Sequence, residues 1–508
     1  MDSEPPIAEA EDYGQGSSLA RKAIRGASLA TVGWIASQTL TFLAYVVLAR
    51  LLTPRDFGDY AAGAVLVSWG FLFTEGGMMS ALIRRRDRGE EAASTAFFAL
   101  LVSGTLLTVM ALAVSPLFGV FFNSDRVATI AAALSPWLFV NALAIVPDAL
   151  LQRRLSFARR VAVDPLAAVT FATVSIVACA LGAGVWGLVA GSYAQEIVTV
   201  VTSWRFARFR PRFSLASFAL WRELAAFARP VLGSEILRRI ASQLSTVLLG
   251  KFAGTPTLGQ FRNGFRLALQ PHNAFVNVGG YVLLPTLARI SDDKSRLRAA
   301  TQRVLGLATI VAVPVSFALI PLGVPIAVLA LGPIWRPAGH AIAALWGLLL
   351  GGVIISVTAE LSKATGRPDR LIRVQSFSLV ATVALISAGV PFGLVGVASA
   401  VSVSQCATAL YSYAVIAPLV GLRWKELGRQ FLGPALATAV MLAAMFAFTG
   451  LTDPVDHPEA TAIALVLGEV AMGTVIYAGA LLALDRGRRS QLRGWLRIRR
   501  ARASSAAA

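Results

Sequence analysis

Long apolar stretches, separated by short polar segments, run through most of the 508-residue chain. A transmembrane helix needs about 20 consecutive, mostly apolar residues, and the sequence holds fourteen such stretches between residues 27 and 484. None of them alternates strictly between apolar and polar positions, which is the pattern of transmembrane β-strands. The pattern predicts an all-α polytopic membrane protein with about 14 transmembrane helices.

The composition agrees with a membrane environment. Only 14% of the residues are charged and 56% are hydrophobic, whereas soluble domains carry roughly a quarter charged residues. The net charge of +19 comes from short basic clusters between apolar stretches and not from a basic domain, so we expect no nucleic acid as a partner. Two cysteines and three histidines are scattered along the chain, so we expect no disulfide, no metal site, no catalytic site and no cofactor.

Basic clusters occur in every second connection between the apolar stretches. They are "RRRDR" (84–88), "QRRLSFARR" (152–160), "WRFARFRPR" (204–212), "ARISDDKSRLR" (288–298), "KATGRPDRLIR" (363–373) and "GLRWKELGR" (421–429). Lys and Arg stay on the cytoplasmic side of a membrane, and the acidic N-terminal segment lacks the pattern of a secretory signal. The sequence therefore predicts a multi-pass protein of the cytoplasmic (inner) membrane with both termini in the cytoplasm.

One polar motif between two apolar stretches occurs twice. "VLARLLTPRDFGDY" (47–60) joins the first two stretches, and "LLGKFAGTPTLGQF" (248–261) joins the seventh and eighth. We expect Pro54 and Pro256 to end one helix, and Gly58 and Gly259 to relieve the turn before the next. The repeat predicts two parallel six-helix lobes with a substrate path between them, as in transporters built from repeats.

The repeat and the basic segments divide the chain into six predicted regions. These are a disordered cytoplasmic tail (1–26), an N-terminal six-helix lobe (27–212), an interfacial amphipathic linker (213–228), a C-terminal six-helix lobe (229–420), two additional transmembrane helices (421–485) and a basic cytoplasmic tail (486–508).

Four segments, "LARLLTPRDFGDYAAGAVL", "SALIRRRD", "LGQFRNGFRLALQP" and "LLPTLARI", resemble the polysaccharide transporter, or oligosaccharide flippase, family of the MOP exporter superfamily. The resemblance covers roughly residues 20–430. It implies a carrier and not an enzyme, which moves a polyprenyl-diphosphate-linked oligosaccharide across the membrane by alternating access, for surface or extracellular polysaccharide biosynthesis. The implied partners are the lipid-diphosphate-linked saccharide, membrane lipids, and a polysaccharide polymerase with its assembly proteins.

Two other functions stay open at this point. Drug/cation antiporters of the same superfamily usually place a carboxylate in the first helix, and residues 27–52 contain none. A membrane enzyme such as a polysaccharide polymerase or ligase needs a sizeable external loop with catalytic Arg or His. The connections on the predicted outer side are too short to build such a loop.

Four arginines are candidates for binding an anionic substrate. Arg238 and Arg239 fall midway along the seventh stretch, and Arg262 and Arg266 are spaced i, i+4 on one face of the eighth. Ionisable residues are costly inside a membrane, and guanidinium groups bind diphosphates with several donors in a fixed geometry. We expect a cationic cavity formed by these side chains. The alternative is structural pairing, for which Glu235 has the right spacing.

Carboxylates inside the membrane are candidates for coupling transport to a proton or cation gradient. We select Asp164, Glu196 and Glu75 in the predicted N-terminal lobe, with structural pairing as the alternative. His272 follows Pro271 in the eighth stretch, and its isolation is more typical of a core residue than of a proton relay.

Overall fold

The computed structural model describes residues 33, 35–75, 78–79, 82, 89–153, 157–288, 290, 293–367 and 369–484. The predicted terminal tails (1–26 and 486–508) and the basic cluster 84–88 lie outside the described residues. The contacts divide the chain into two compact units, Met1–Pro256 and Thr257–Ala508. The predicted domain boundaries remain predictions, and each unit is described by itself.

The first unit contains eight helices in its described part. These are α1 (Ile35–Leu51), α2 (Pro54–Glu75), α3 (Gly89–Phe122), α4 (Asp125–Leu134), α5 (Trp137–Arg153), α6 (Phe157–Ala180), α7 (Val185–Ala207) and α8 (Phe218–Phe252). Helices α2, α3, α5 and α7 pack around a common core, α6 pairs with α7, and α8 lies against α2 and α3.

The second helical set begins at the unit boundary. It contains α9 (Gly254–Ala288), α10 (Lys294–Leu331), α11 (Arg336–Ala344), α12 (Gly347–Ala364), α13 (Asp369–Gly389), α14 (Gly393–Ile416), α15 (Trp424–Thr452) and α16 (Glu459–Leu484). Helix α10 contacts α11, α12 and α15, whereas α14 contacts α12 and α13. The last two helices, α15 and α16, pair with each other.

The described helices confirm an all-α polytopic membrane protein. Eight stretches are long and apolar enough to cross a membrane by themselves. The other helices are less apolar or shorter: α9 has 35 residues, and α1 is a shorter apolar helix. Helices α4 and α5 follow each other with only a short break, and so do α11 and α12. Counting each of these pairs as one rod, the sixteen described helices form fourteen rods, the number predicted from the apolar stretches.

In both copies of the repeated motif, the second helix begins earlier than the sequence suggested. Pro54 is the first residue of α2, and Pro256 lies in the first turn of α9, where proline is well tolerated because the first helical N–H groups have no partner in the helix. The expectation that Gly58 and Gly259 relieve the turns was wrong, because both lie inside helices. At the second copy the turn uses Gly254, whose φ of +82° favours glycine.

The two broken rods have the same hydrogen-bond pattern. The Ser135 N–H donates to the carbonyls of Ala131 and Ala132, and the Leu345 N–H donates to those of Ala341 and Ile342. A hydroxyl from a neighbouring helix binds a carbonyl at each break: Thr108 donates to Ser135, 3.3 Å away, and Ser402 donates to Ala344, 2.6 Å away. Each break falls in the fourth rod of a six-rod block, as an internal repeat requires.

The predicted linker 213–228 is not separate from the seventh rod. Phe213–Leu215 form a single 3-10 turn, Ser217 caps the next helix, and α8 then continues to Phe252. Leu220 and Leu224 in its first turns are buried with Phe97 and Ala93 of α3. The interfacial position of this segment stays a prediction.

Candidate functional site

Helix α9 is fixed against α11 along one face. Both ends of the Gln260 amide are used: Nε2 donates to the Ile334 carbonyl at 2.7 Å, and Oε1 accepts from the Ala338 N–H at 3.0 Å. One turn further on, a Cβ added to Gly264 would lie only 2.7 Å from the Ala338 oxygen. Gln260 and Gly264 therefore define the face of α9 that packs on α11.

Arg262 and Arg266 lie on the opposite face of α9. Each is two residues from Gly264, and a helix turns about 100° per residue, so each projects about 160° away from the contact with α11. The two positions are only about 40° apart, which places both guanidinium groups on one side. Both residues are half-buried. The shared face predicted from their i, i+4 spacing is thus present, and it is turned away from α11.

Arg238 and Arg239 lie on α8, in the first unit. Both Nε and Nη2 of Arg238 donate to Oε2 of Glu235, at 2.9 and 2.5 Å. This is one of the two pairings that the structural alternative anticipated, and the Arg238 side chain is still 61% exposed. Arg239 is half-buried. One turn further along α8, Gln243 donates to Ser68 of α2 at 3.1 Å, which fixes this part of the helix.

Glu196 is a buried carboxylate in the core of the first unit. Helix α7 presents it towards α5, where Asn141 donates from Nδ2 to Oε1 at 3.0 Å. Its neighbours on α7 are also bonded across helices: Ser192 shares a 2.7 Å hydrogen bond with Tyr60 of α2, and Tyr193 donates to the Ala133 carbonyl at 2.6 Å. Glu196 thus belongs to a polar layer inside the helix bundle.

The other candidates differ in their surroundings. Asp164 is exposed in the first part of α6. Glu75 is the last residue of α2, and its side chain lies outside the described residues. His272 is half-buried on α9 and packs against α12, because a Cβ added to Gly352 would collide with its imidazole ring. Arg262 and Arg266 share one face of α9, whereas Asp164 is exposed and Glu196 is buried against Asn141.

A charged cluster at the start of α2 was not identified from the sequence. Arg126, at the start of α4, places Nη2 2.8 Å from Oδ1 of Asp56 and Nη1 3.5 Å from Oδ2 of Asp59. The Asp59 side chain is completely buried. Thr53 and Asp56 also form a reciprocal cap: the Thr53 hydroxyl donates to Asp56 and accepts from its N–H. The T-x-x-D spacing could have revealed this cap, but not the contact with Arg126.

This geometry suits recognition of an anion more than covalent chemistry. Guanidinium groups stay charged and bind phosphate oxygens with paired N–H donors, and two of them share one face of α9. Among the described residues, no group of three or more His, Cys, Asp or Glu side chains could hold a metal ion. The chemistry available at Arg262 and Arg266 is electrostatic binding of a charged ligand.

Solved transporter structures share this fold. The chain is similar to the lipid II flippase MurJ in an inward closed conformation, with a TM-score of 0.72, 15% identity, and coverage of 90% of this chain and 98% of that one. It is also similar to an inward-facing multidrug resistance MATE family transporter of the MOP superfamily, with a TM-score of 0.56 and 19% identity over 77% of this chain and 98% of the other. At these identities the likeness shows the fold alone.

Sequence relatives extend over most of the chain. The succinoglycan biosynthesis transport protein ExoT of Rhizobium meliloti (strain 1021) is 25% identical over 503 residues, covering 94% of this chain and 97% of ExoT. The lipopolysaccharide biosynthesis protein WzxC of Escherichia coli (strain K12) is 23% identical, covering 80% and 84%. The family described as "Polysaccharide biosynthesis protein" matches residues 47–339. This multi-pass membrane protein therefore belongs to the polysaccharide biosynthesis protein family.

Proposed function

We propose that this protein is a flippase that carries a polyprenyl-diphosphate-linked oligosaccharide across the cytoplasmic membrane by alternating access. Three features support the proposal: membership of a polysaccharide biosynthesis family, a full-length relative named as a biosynthesis transport protein, and a fold of transporters. The product would serve surface or extracellular polysaccharide biosynthesis. In this proposal both termini are cytoplasmic, and a polysaccharide polymerase with its assembly proteins receives the cargo.

The observation that carries the proposal is the arginine face of α9. Arg262 and Arg266 project together from the side of α9 that does not contact α11. A diphosphate presents several oxygens to paired donors, which two neighbouring guanidinium groups can supply. On α8 of the first unit, Arg239, which is half-buried, and Arg238, once released by Glu235, are further candidates for binding an anionic substrate.

A lipid-linked saccharide has an apolar part that can stay in the membrane and a polar part that cannot. The hydrocarbon tail can remain in the bilayer while the diphosphate and sugars cross. Moving those polar groups through hydrocarbon without partners costs several kcal/mol for each unsatisfied group. The role of the carrier is to replace water around them, and charged donors at the diphosphate contribute most to that replacement.

The buried carboxylate Glu196 is the strongest of the three candidates for ion coupling. Its contact with Asn141 holds it inside the first unit, whereas Asp164 is exposed. A carboxylate at membrane depth is a candidate for proton or cation binding. We include Glu196 in the proposal as the coupling residue, with Asp164 and Glu75 as the other candidates.

The test is transport of a fluorescent polyprenyl-diphosphate oligosaccharide by the full chain in proteoliposomes. Appearance of the label in the other leaflet, measured as access to a membrane-impermeant quencher, supports the proposal when the mass of the lipid is unchanged. Arg262→Ala/Arg266→Ala should abolish transport without loss of membrane insertion. The matched control is Arg303→Ala, because Arg303 is an exposed arginine on α10.

Two results would overturn the proposal. A change in the mass of the lipid-linked sugar without relocation would identify an enzyme, such as a polymerase or ligase. Uptake of a cationic drug with no movement of the lipid-linked sugar would identify an antiporter. The described part of α1 has no carboxylate, which argues against the antiporter.

A further inference from the structure

A cavity of about 630 Å³ opens in the first unit between α2, α3 and the first half of α8. Its size falls within the range of roughly 300–1,000 Å³ typical of sites that bind small ligands. The cavity contains none of the arginine and carboxylate candidates discussed above. Its lining includes Thr74, Thr95, Phe98, Ala99, Ser103 and Ala225.

The hydroxyl groups in the lining are already engaged with the protein. Thr74 donates to the Gly70 carbonyl at 3.0 Å, and Ser103 donates to that of Leu100 at 3.0 Å. Thr95 donates to the Leu215 carbonyl and accepts from the Ser217 N–H at 3.1 Å. The remaining lining is mostly aliphatic and aromatic. The cavity therefore offers hydrocarbon surface to a ligand and few free polar groups.

The open side of the cavity consists of residues expected to face lipid. Val102 and Leu106 of α3 are 69% and 67% exposed, and both belong to the lining. A membrane-spanning helix exposes such side chains to acyl chains, so a chain from the surrounding bilayer can enter without crossing a polar barrier. This access favours an alkyl chain over a water-soluble ligand.

An arginine-rich segment lies against the same end of α3. Arg205, Arg208, Arg210 and Arg212 are all exposed. The Arg212 N–H donates to Ser94 at 3.3 Å, next to Thr95 of the lining, and the Phe213 ring meets the Phe98 ring edge-on with centroids 5.2 Å apart. Clusters of arginines beside a membrane attract anionic lipid headgroups. The apolar cavity and the arginine-rich segment 205–212 are therefore neighbours in the first unit.

We infer that this cavity binds one acyl chain of an anionic phospholipid, whose headgroup phosphate contacts the arginine segment 205–212. The site is separate from the carrier function proposed above, since it uses neither Arg262 nor Arg266. The lipid fills the space between α3 and α8 and ties α8 to the rest of the first unit.

The test is photolabelling of the full chain in bilayer nanodiscs with phosphatidylglycerol that carries a diazirine in one acyl chain. We expect adducts concentrated in peptides 95–106 and 216–232. The cavity-filling variant Ala99→Phe/Ala225→Phe should lower labelling roughly tenfold, because the two phenyl rings would occupy the space that the acyl chain fills. Val109→Phe is the matched control, because Val109 is 59% exposed on α3 and lies outside the lining.

The headgroup is tested separately with photoreactive phosphatidylcholine. Wild-type protein should label more strongly with phosphatidylglycerol, and Arg210→Gln/Arg212→Gln should remove that preference while leaving labelling in the same peptides. Equal labelling by both lipids in the wild type overturns the anionic assignment. Adducts spread evenly along α3, or unchanged in Ala99→Phe/Ala225→Phe, overturn the site.

Competition on the wild-type protein keeps the test independent of how the variants fold. Unlabelled phosphatidylglycerol should displace the photolabel, and polyprenyl phosphate should not. Displacement by polyprenyl phosphate alone would assign the cavity to the prenyl chain and contradict the inference. Labelling needs no transport, so a failure of the flippase proposal would leave this result unaffected.

Discussion

Gln260 and Ala338 join α9 to α11 through a buried hydrogen bond from the Ala338 N–H to the Gln260 side-chain oxygen, 3.0 Å long. The other end of the same amide binds the Ile334 carbonyl. This double contact sets the rotation of α9, and it therefore determines that Arg262 and Arg266 point away from α11.

Gln260→Ala should lower both stability and transport. It leaves a buried N–H and a carbonyl without their partner, which costs about 1–3 kcal/mol, and it frees α9 to rotate its arginines. The measurement is thermal unfolding in detergent together with the proteoliposome assay. Gln270→Ala is the matched control on the same helix, because the Gln270 amide donates to the Arg266 carbonyl one turn earlier in α9. Equal effects of the two variants would contradict the proposed role of Gln260.

Replacing Arg262 and Arg266 by lysine separates charge from geometry. Lysine keeps the positive charge but lacks the planar pair of donors. We expect Arg262→Lys/Arg266→Lys to transport roughly tenfold more slowly than the wild type, the effect of about 1.4 kcal/mol at the site, and to remain above the double alanine variant. Wild-type rates in the double alanine variant would remove these residues from the substrate site.

Arg126→Ala should destabilise the first unit. The buried Asp59 carboxylate would retain one arginine, Arg55, whose Nε is 3.9 Å away, and the Thr255 hydroxyl. Breaking a buried ion pair costs about 3–5 kcal/mol, and we expect roughly 2–3 kcal/mol here because Arg126 is itself half exposed. Asp59→Asn in the Arg126→Ala background should recover part of the loss. The control Arg55→Ala should have a small effect, and unfolding in detergent measures all three.

Two glycine-to-alanine variants should have opposite effects on stability. A Cβ at Gly339 would collide with Val324 and lie 2.9 Å from the Gly323 carbonyl, so Gly339→Ala should force α10 and α11 apart at a cost of about 1–3 kcal/mol. Gly428 lies inside α15 with nothing within 4 Å of an added Cβ. Gly428→Ala should stabilise by up to ~1 kcal/mol through helix propensity. Stabilisation by both variants would show that α10 and α11 pack less closely.

Reporter fusions test the predicted orientation. Fusions after Arg160, Arg298 and Arg429 should report a cytoplasmic position, and fusions at Ser124, Gly254 and Pro454 an external one. The reason is the retention of Lys and Arg on the cytoplasmic side. One site with the opposite result would require a different number of membrane crossings between it and its neighbour.

Local patterns in the sequence predicted the helices well, because long apolar stretches and the absence of alternation are strong signals. The common face of Arg262 and Arg266 also followed from their spacing. The orientation of that face could not be predicted, since it depends on the contact of Gln260 with α11, 78 residues away. The contact of Arg126 with Asp56 joins residues 70 positions apart and was missed for the same reason.

The breaks at Ser135 and Leu345 were not predicted from the sequence, although Pro136 directly follows Ser135 and proline lacks the N–H that continues a helix. Both lie within apolar stretches that read as continuous spans. The hydroxyls that bind a carbonyl at each break, Thr108 and Ser402, belong to other helices. These partners are therefore visible only after folding. The expectation for the turn glycines was wrong for a simpler reason. Each proline lies in the first turn of the second helix, so that helix begins before Gly58 or Gly259 and contains it.

The two hydroxyls that bind a carbonyl at the breaks differ in when they are synthesised relative to that carbonyl. Thr108 belongs to α3 and is made before Ser135, whose carbonyl also accepts from the Leu138 N–H in its own rod. Ser402 belongs to α14 and is made after Ala344. Because chains are produced from the N-terminus, the Ala344 carbonyl gains this hydroxyl donor only after two more rods have been translated. The hydrogen bonds at the first break can thus form before the second half is made, whereas those at the second break are complete only once α14 has been added.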